Sequence, residues 1–217
     1  IPLRLVGSEM CIRDSFYIFR HGQTVWNAEG RPQGQHEYPV PLTMEGREQA
    51  QKLADKLKDK KIKLIVSSDL LRAQQTGEIV AQALRVPLEF DRRLREVDYG
   101  ILNGLYTIER EEVYPDFKKC YEDPKIPFPE GESLHQVALR FIDAVKDICS
   151  RCSYRAVGIS SHGHAITSLI EEVFGYQVQR VENCDYVHIT YDPVKDKFEG
   201  VELPPEREIF KAIIPNY

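Results

Sequence analysis

The sequence predicts one α/β domain built on a largely parallel sheet, and three observations carry that expectation. Short apolar runs of strand type alternate with segments of helical periodicity, the pattern of successive βαβ units. The length, 217 residues, fits one such domain, and a chain of that size can bury about 70% of its unfolded surface without disulfides or a metal. Four of the strand-type segments also end in His, Arg or Glu, where open α/β sheets bind their ligands.

Each element has its own signal. Phe16–Arg20 (FYIFR) is a short aromatic and apolar run stopped by Gly22, and reads as the first strand. A helix is expected after Thr43, with Ala50, Leu53, Ala54 and Leu57 on one face. Leu64–Ser67 (LIVS) is the next strand, after which Thr76, Ile79, Val80, Ala83 and Leu84 recur at helical spacing. Pro87–Phe90 reads as a further strand. Residues 100–131, rich in Tyr, Lys and Pro, are expected to be irregular, a long excursion or lid over the domain. Ser133 followed three residues later by Gln136 is a capping-box signature for a helix running towards Cys149. Ala156–Ser160 (AVGIS) is a strand that runs into Ser161-His162-Gly163 and then a helix near Ala165–Phe174. Val187–Tyr191 closes the regular part as a strand.

Ile1–Ser15 fits none of these elements. Over eleven consecutive residues, Leu5–Ser15 (LVGSEMCIRDS) resembles an in-frame translation of a transposase-type sequencing adaptor. The segment lacks the basic start, long apolar region and small-residue cleavage site of a signal peptide. Residues 1–15 are therefore expected to be non-native and adaptor-derived, and residues 16–217 to form the domain.

Composition narrows the function classes. Hydrophobic residues make up 42% and charged residues 29%, ordinary for a globular protein, and the net charge of −5 argues against a broad nucleic-acid footprint. No run of 18 apolar residues suggests a membrane-spanning helix. Cys149-x-x-Cys152 has no second pair or ligand cluster beside it, so with Cys120 and Cys184 these cysteines read as reduced thiols and the location as cytoplasmic. Any anion site must be local, made by a few well-placed cations.

The strand ends supply them. Arg20-His21-Gly22 follows the first strand; Ser68-Asp69 follows the second, with Arg72 one helical turn on; Arg95-Glu96 and His162-Gly163-His164 complete the set. Taken singly, each has an ordinary explanation, such as an arginine lying along its helix or a solvated acid. Their convergence on one rim is what points to a site. A phosphomonoester carries about two negative charges near neutral pH, and planar guanidiniums match its oxygens better than lysines do. Cations around His21 oppose its protonation and leave the imidazole nucleophilic. His162 is expected to donate to a phosphoryl oxygen. Gly22 and Gly163 would let backbone approach the ligand, and Glu96 is the candidate general acid and base.

Arg20-His21-Gly22-Gln23-Thr24 with Asn27, then Arg72, Glu96 and Ser161-His162-Gly163, resemble the histidine phosphatase superfamily, the phosphoglycerate-mutase-like group. The surrounding phrases Arg31-Pro32-Gln33-Gly34, Leu42-Thr43, Tyr99-Gly100 and Pro129-Glu130-Gly131-Glu132-Ser133 agree in order and spacing. The resemblance implies a three-layer α/β/α domain and phosphoryl transfer through a phosphohistidine. It implies catalytic roles for Arg20, His21, Arg72, Glu96 and His162, and substrate contacts for Thr24, Asn27, Gln33, Gly34 and Gly163. Hydrolysis of a small phosphorylated metabolite, with no cofactor or metal, is the favoured expectation. The cofactor-dependent mutases carry a longer insertion with paired arginines, whereas Gly104–Pro129 has only Arg110. The alternatives are a phosphoglycerate-mutase-type transfer, a metal-dependent hydrolase using His162-x-His164 with Asp69 and Asp98, and a non-catalytic binding member of the fold.

Overall fold

The computed structural model describes residues 14–152, 154–178 and 181–203, and the backbone of Phe210–Lys211. Strand β1 (Asp14–Arg20) leads through the single turn α1 (Val25–Ala28) to α2 (Met44–Leu57). Then come β2 (Leu64–Ser67), α3 (Leu71–Leu84) and β3 (Leu88–Phe90), followed by α4 (Thr107–Val113), α5 (Lys119–Glu122) and α6 (Leu134–Arg151). The chain continues through β4 (Ala156–Ser161), α7 (Gly163–Phe174), β5 (Tyr176–Gln177), β6 (Tyr186–Asp192), β7 (Lys197–Glu202) and β8 (Phe210–Lys211).

Six strands form one sheet in the order β3-β2-β4-β1-β6-β7. The first four run parallel, while β6 and β7 join as antiparallel strands at the other edge. Alternation along the strands splits the core in two, because successive side chains point to opposite faces. Phe16 and Ile18 of β1, with Leu64 and Val66 of β2, pack with α6 and α7 residues such as Val137, Phe141, Ile166 and Leu169. Phe19 and Ile65 pack on the other face with Ala50, Leu53 and Leu57 of α2 and Val80 of α3. Helices thus cover both faces, giving three layers. Thr43 and Ser133 cap α2 and α6 with their side chains, and Ser133 does so in a full capping box with Gln136. Among the described residues no helix is long and apolar enough to cross a membrane.

Three expectations need correction. Strand β1 begins at Asp14, two residues before the expected start at Phe16: Ser15 pairs with Ala156 on one side and Thr190 on the other. Residues 1–13 lie outside the described residues. The stretch 100–131 is not irregular, since it holds a 3₁₀ turn at Gly100–Leu102 and the helices α4 and α5. At seven and four residues these helices are too short to display a 3.6-residue period. The sheet also extends beyond Tyr191 into β7. Its pairing jumps from Thr190↔Gly200 to Tyr191↔Phe198, leaving Glu199 as an extra residue. That bulge places Phe198 and Val201 against the same core at a spacing of three, and hides the period of two.

Candidate active site

Parallel β1, β2 and β4 end on one rim, which brings Arg20-His21, Ser68 and Ser161-His162 together. His21, the first residue after β1, is 3% exposed. Its Nδ1 donates to the Gly22 carbonyl at 2.8 Å, so Nε2 carries the lone pair. That lone pair accepts from Arg72 Nε at 3.2 Å, and Arg72 Nη2 donates to the Gly34 carbonyl at 2.9 Å. Arg72 reaches His21 from the first turn of α3, where Thr76 also accepts from the Gly22 N–H and donates to the Arg72 carbonyl. Arg20 donates to the Val181 carbonyl at 2.9 Å. Burial holds His21 well below the usual histidine range, and the charges of Arg72 and Arg20 push it the same way. Arg72 is itself lowered to about 10 by burial.

His162 is fully buried, with its ring centroid 5.2 Å from that of His21. Ser68 Oγ accepts from the Leu70 N–H, so its proton is free to go to His162 Nε2, 2.8 Å away. With Ser68 donating, the one N–H of the ring is on Nδ1, which has no partner among the described residues. Burial, then Arg72, keeps this histidine neutral. Glu96 comes from the loop after the 3₁₀ turn Arg92–Leu94 and is fixed by backbone. Its Oε1 accepts from Val97 N–H at 3.1 Å and Ala165 N–H at 3.0 Å, and Oε2 from His164 N–H at 3.4 Å.

These groups surround a cavity of about 350 Å³ whose wall includes Arg20, His21, Asn27, Gln33, Gly34, Arg72, Glu96 and Gly163. Asn27 accepts on Oδ1 from the Thr24 N–H, so its amide nitrogen is the part left for a ligand. Gly34 is required by its left-handed φ of +55° and by Asn103 and Tyr99, which an added Cβ would strike. Thr24 and His162 are not part of the wall. The Thr24 hydroxyl caps α1 and accepts from Gln33 Nε2 at 2.8 Å, so it positions Asn27 and Gln33. Gly22 and Gly163 differ in what surrounds them, and Gly163 is the one that lines the cavity. A Cβ on Gly22 would lie 2.3 Å from the Gly46 carbonyl oxygen, so α2 requires that glycine; one on Gly163 would make only ordinary contacts.

Several wall residues carried no assigned role in the sequence: Arg31, Tyr99, Thr167 and Val181. Asn183, whose amide donates to the His21 carbonyl at 2.9 Å, gave no signal at all. His164 lines the cavity with Nδ1 2.8 Å from Tyr99 Oη. Arg95 leaves the set, because Asp69 holds it through two bonds of 2.6 and 2.7 Å. Asp98 accepts from Gly100 and Asn103, and no group of three or more His, Cys, Asp or Glu suited to a metal occurs among the described residues. Trp26 stands outside the wall and carries Arg31 on its ring face.

Residues 16–202 match the histidine phosphatase superfamily (branch 1). A protein of Enterobacter sp. (strain 638), described as "Probable phosphoglycerate mutase GpmB", is 35% identical over 184 residues, spanning 81% of this chain and 84% of its own. Among solved structures, mycobacterial glucosyl-3-phosphoglycerate phosphatase in complex with VO3 superposes with a TM-score of 0.78 at 26% identity, covering 88% of this chain and 97% of its own. Bacillus stearothermophilus YhfR superposes with a TM-score of 0.75 at 28% identity, over 85% of this chain and 94% of its own.

Proposed function

This chain belongs to the histidine phosphatase superfamily, branch 1, and on that premise we propose that it hydrolyses a small phosphomonoester, without a metal, through a phosphohistidine on His21. The observation that carries the reading is the state of His21: a neutral, buried imidazole with Nδ1 tied to backbone and Nε2 turned to a guanidinium at the cavity. A bound phosphoryl group draws Arg72 onto its oxygens, which frees Nε2 to attack phosphorus in line with the leaving oxygen. Arg20, Arg72 and the Asn27 amide take the equatorial charge, while His162, packed behind His21, stays neutral and braces its ring. The two arginines supply the positive field that a metal would otherwise provide.

Glu96 gives its proton to the departing alkoxide as the His21–phosphorus bond forms. It then takes a proton from the water that attacks the phosphohistidine, returning His21 neutral and releasing inorganic phosphate. The names of the relatives keep mutase-type transfer as the second reading. Arg110 favours hydrolysis. The lone arginine of the 104–129 stretch is stacked on Tyr99 and bonded to Leu105 and Tyr121, outside the cavity wall. It therefore offers no clamp to hold a reaction intermediate for return of its phosphoryl group.

The test is rapid acid-free quench with a labelled phosphomonoester in EDTA. An acid-labile phosphoenzyme that disappears in His21→Ala, with phosphate rather than an isomerised ester as product, is the expected result. Turnover that stops in EDTA and returns with zinc or manganese would replace the covalent mechanism with metal-assisted hydrolysis.

A further inference from the structure

Residues 33–35 bond in turn to groups on the phosphoryl side of the cavity and on the acid side. Gln33 donates to the Thr24 hydroxyl, which caps the turn that carries Asn27. The Gly34 carbonyl accepts from Arg72 Nη2 at 2.9 Å, and Arg72 Nε donates to His21. Gln35 turns the other way. Its Nε2 donates to the Glu96 carbonyl at 2.9 Å and, at 3.4 Å, to Glu132 Oε1. Its Oε1 accepts from Arg95 Nη1 at 3.3 Å, and its N–H donates to Asn103 Oδ1 at 3.0 Å. Both ends of the side-chain amide are therefore in use. A carboxylate there could not donate to a carbonyl, and a thioether could do neither. Gln35 is half-buried and stands outside the cavity wall, so it acts on the reaction only through other residues.

We propose that Gln35 is a positioning residue for the general acid: it fixes Glu96 relative to the Arg72–His21 pair and so sets the reach of the acid to the leaving oxygen. Glu96 stands in a loop and depends on such ties for its place. Arg140 also donates to the Glu96 carbonyl, at 2.9 Å, and ties that loop to α6. Gln35 ties it instead to the residue next to Gly34, whose carbonyl holds Arg72. The cation at the nucleophile and the acid at the leaving group thus hang from adjacent residues of one backbone. Such spacing matters, because a misplacement of about 1 Å can cost roughly 100-fold in rate. The proposal rests on the reading of Glu96 as the acid and names a residue that holds it there.

Nitrophenyl, chlorophenyl and phenyl phosphates are the probes, since each successive phenolate needs a proton more in order to leave. Their kcat/KM reports the steps up to expulsion of the phenol. Gln35→Met keeps the length of the side chain and removes its bonds. It is expected to lower kcat/KM by about 10–100-fold for phenyl phosphate and by less than about threefold for nitrophenyl phosphate. Competition by inorganic phosphate should stay within about twofold of the unaltered chain, because the grip on the phosphoryl group is kept. Gln35→Glu keeps the shape and the bond from Arg95 but loses both donors; it should steepen the series likewise, and serves if the methionine variant does not fold. Added to Glu96→Gln, the Gln35→Met change should cost little more, since two changes that act through one proton are not additive. Equal slowing of the three esters, full additivity with Glu96→Gln, or weakened competition by phosphate overturns the proposal and leaves Gln35 a brace of the fold. A flat series in Glu96→Gln alone removes the acid itself, and the role of Gln35 falls with it.

Discussion

Glu96 is held by three backbone N–H groups, two on Oε1 and one, at 3.4 Å, on Oε2. Oε2 is thus the oxygen less committed to the fold and the one suited to exchange a proton. Glu96→Gln keeps the two shorter bonds through its amide oxygen and removes the transferable proton. Phosphoenzyme formation should slow by roughly 10²–10⁴-fold with an alkyl phosphate, whose alkoxide cannot leave unprotonated, and far less with nitrophenyl phosphate. Equal slowing of that first step for both leaving groups, measured by rapid quench, would make Glu96 a positioning group. The two histidines give a second test. Both are lowered by burial, so they stay neutral in the fold while the unfolded chain gains protons below its ordinary histidine pKa, near 6.5. Their contribution to stability is therefore full above that value and is lost as pH falls below it, by up to about 1.4 kcal/mol per pH unit for each histidine. Urea unfolding between pH 7.5 and 5.5 should show a shallower slope for His162→Asn than for the unaltered chain; coincident slopes would mean that His162 is charged in the fold. Residues at strand ends were legible because parallel strands carry them to one rim. Val181 and Asn183 were not, since one contributes only a carbonyl and the other reaches His21 across 162 residues of sequence.

At the scale of elements, α6 controls where Glu96 stands. Arg140 donates to the Arg93, Arg95 and Glu96 carbonyls at 2.6, 2.7 and 2.9 Å, and forms a two-point pair with Glu132. Glu132 in turn accepts from the Asp98 N–H at 2.9 Å. The pair straps Asp98 and the Glu96 loop to the helix. Arg140→Lys keeps the charge but cannot make five bonds, and leaves carbonyls unsatisfied. It should cost about 2–4 kcal/mol in urea unfolding and slow phosphoenzyme formation more for alkyl than for nitrophenyl phosphates. Lost stability with no dependence on leaving group would confine the strap to folding. None of this was visible in the sequence, where Arg140 is one more charge on an amphipathic helix. The Ser133 cap of the same helix was legible because its signal is four residues long. Helices α4 and α5 escaped because tertiary partners, such as buried Arg110 on the Tyr99 ring, hold them where local periodicity cannot.

For the whole molecule, β1 bears on where the domain begins. This strand is central, paired with β4 on one side and β6 on the other, so its ends bear on both halves of the sheet. The match to adaptor codons runs through Ser15, yet Asp14 and Ser15 continue the strand: Asp14 lies opposite Tyr191, accepts from Cys149 Sγ at 2.6 Å and is 2% exposed. The Ser15 N–H donates to the Arg155 carbonyl at 2.8 Å. Adaptor origin and strand pairing are compatible, because an extended backbone can join a ladder whatever its side chains are. Two truncations separate the effects. A chain starting Met-Asp14 retains the whole strand and should match the full chain in melting temperature and turnover. A chain starting Met-Phe16 loses a buried acid's partner contact and two residues of ladder on both sides, about 1–2 kcal/mol. At this size that loss corresponds to a fall of roughly 2–8 °C. Turnover at 25 °C should survive it, since Arg20 and His21 lie at the opposite end of β1. Equal melting of the two truncations would show that residues 14–15 contribute nothing to the sheet. A fall already present in the Met-Asp14 chain would instead place native packing within residues 1–13 and overturn their assignment to the adaptor.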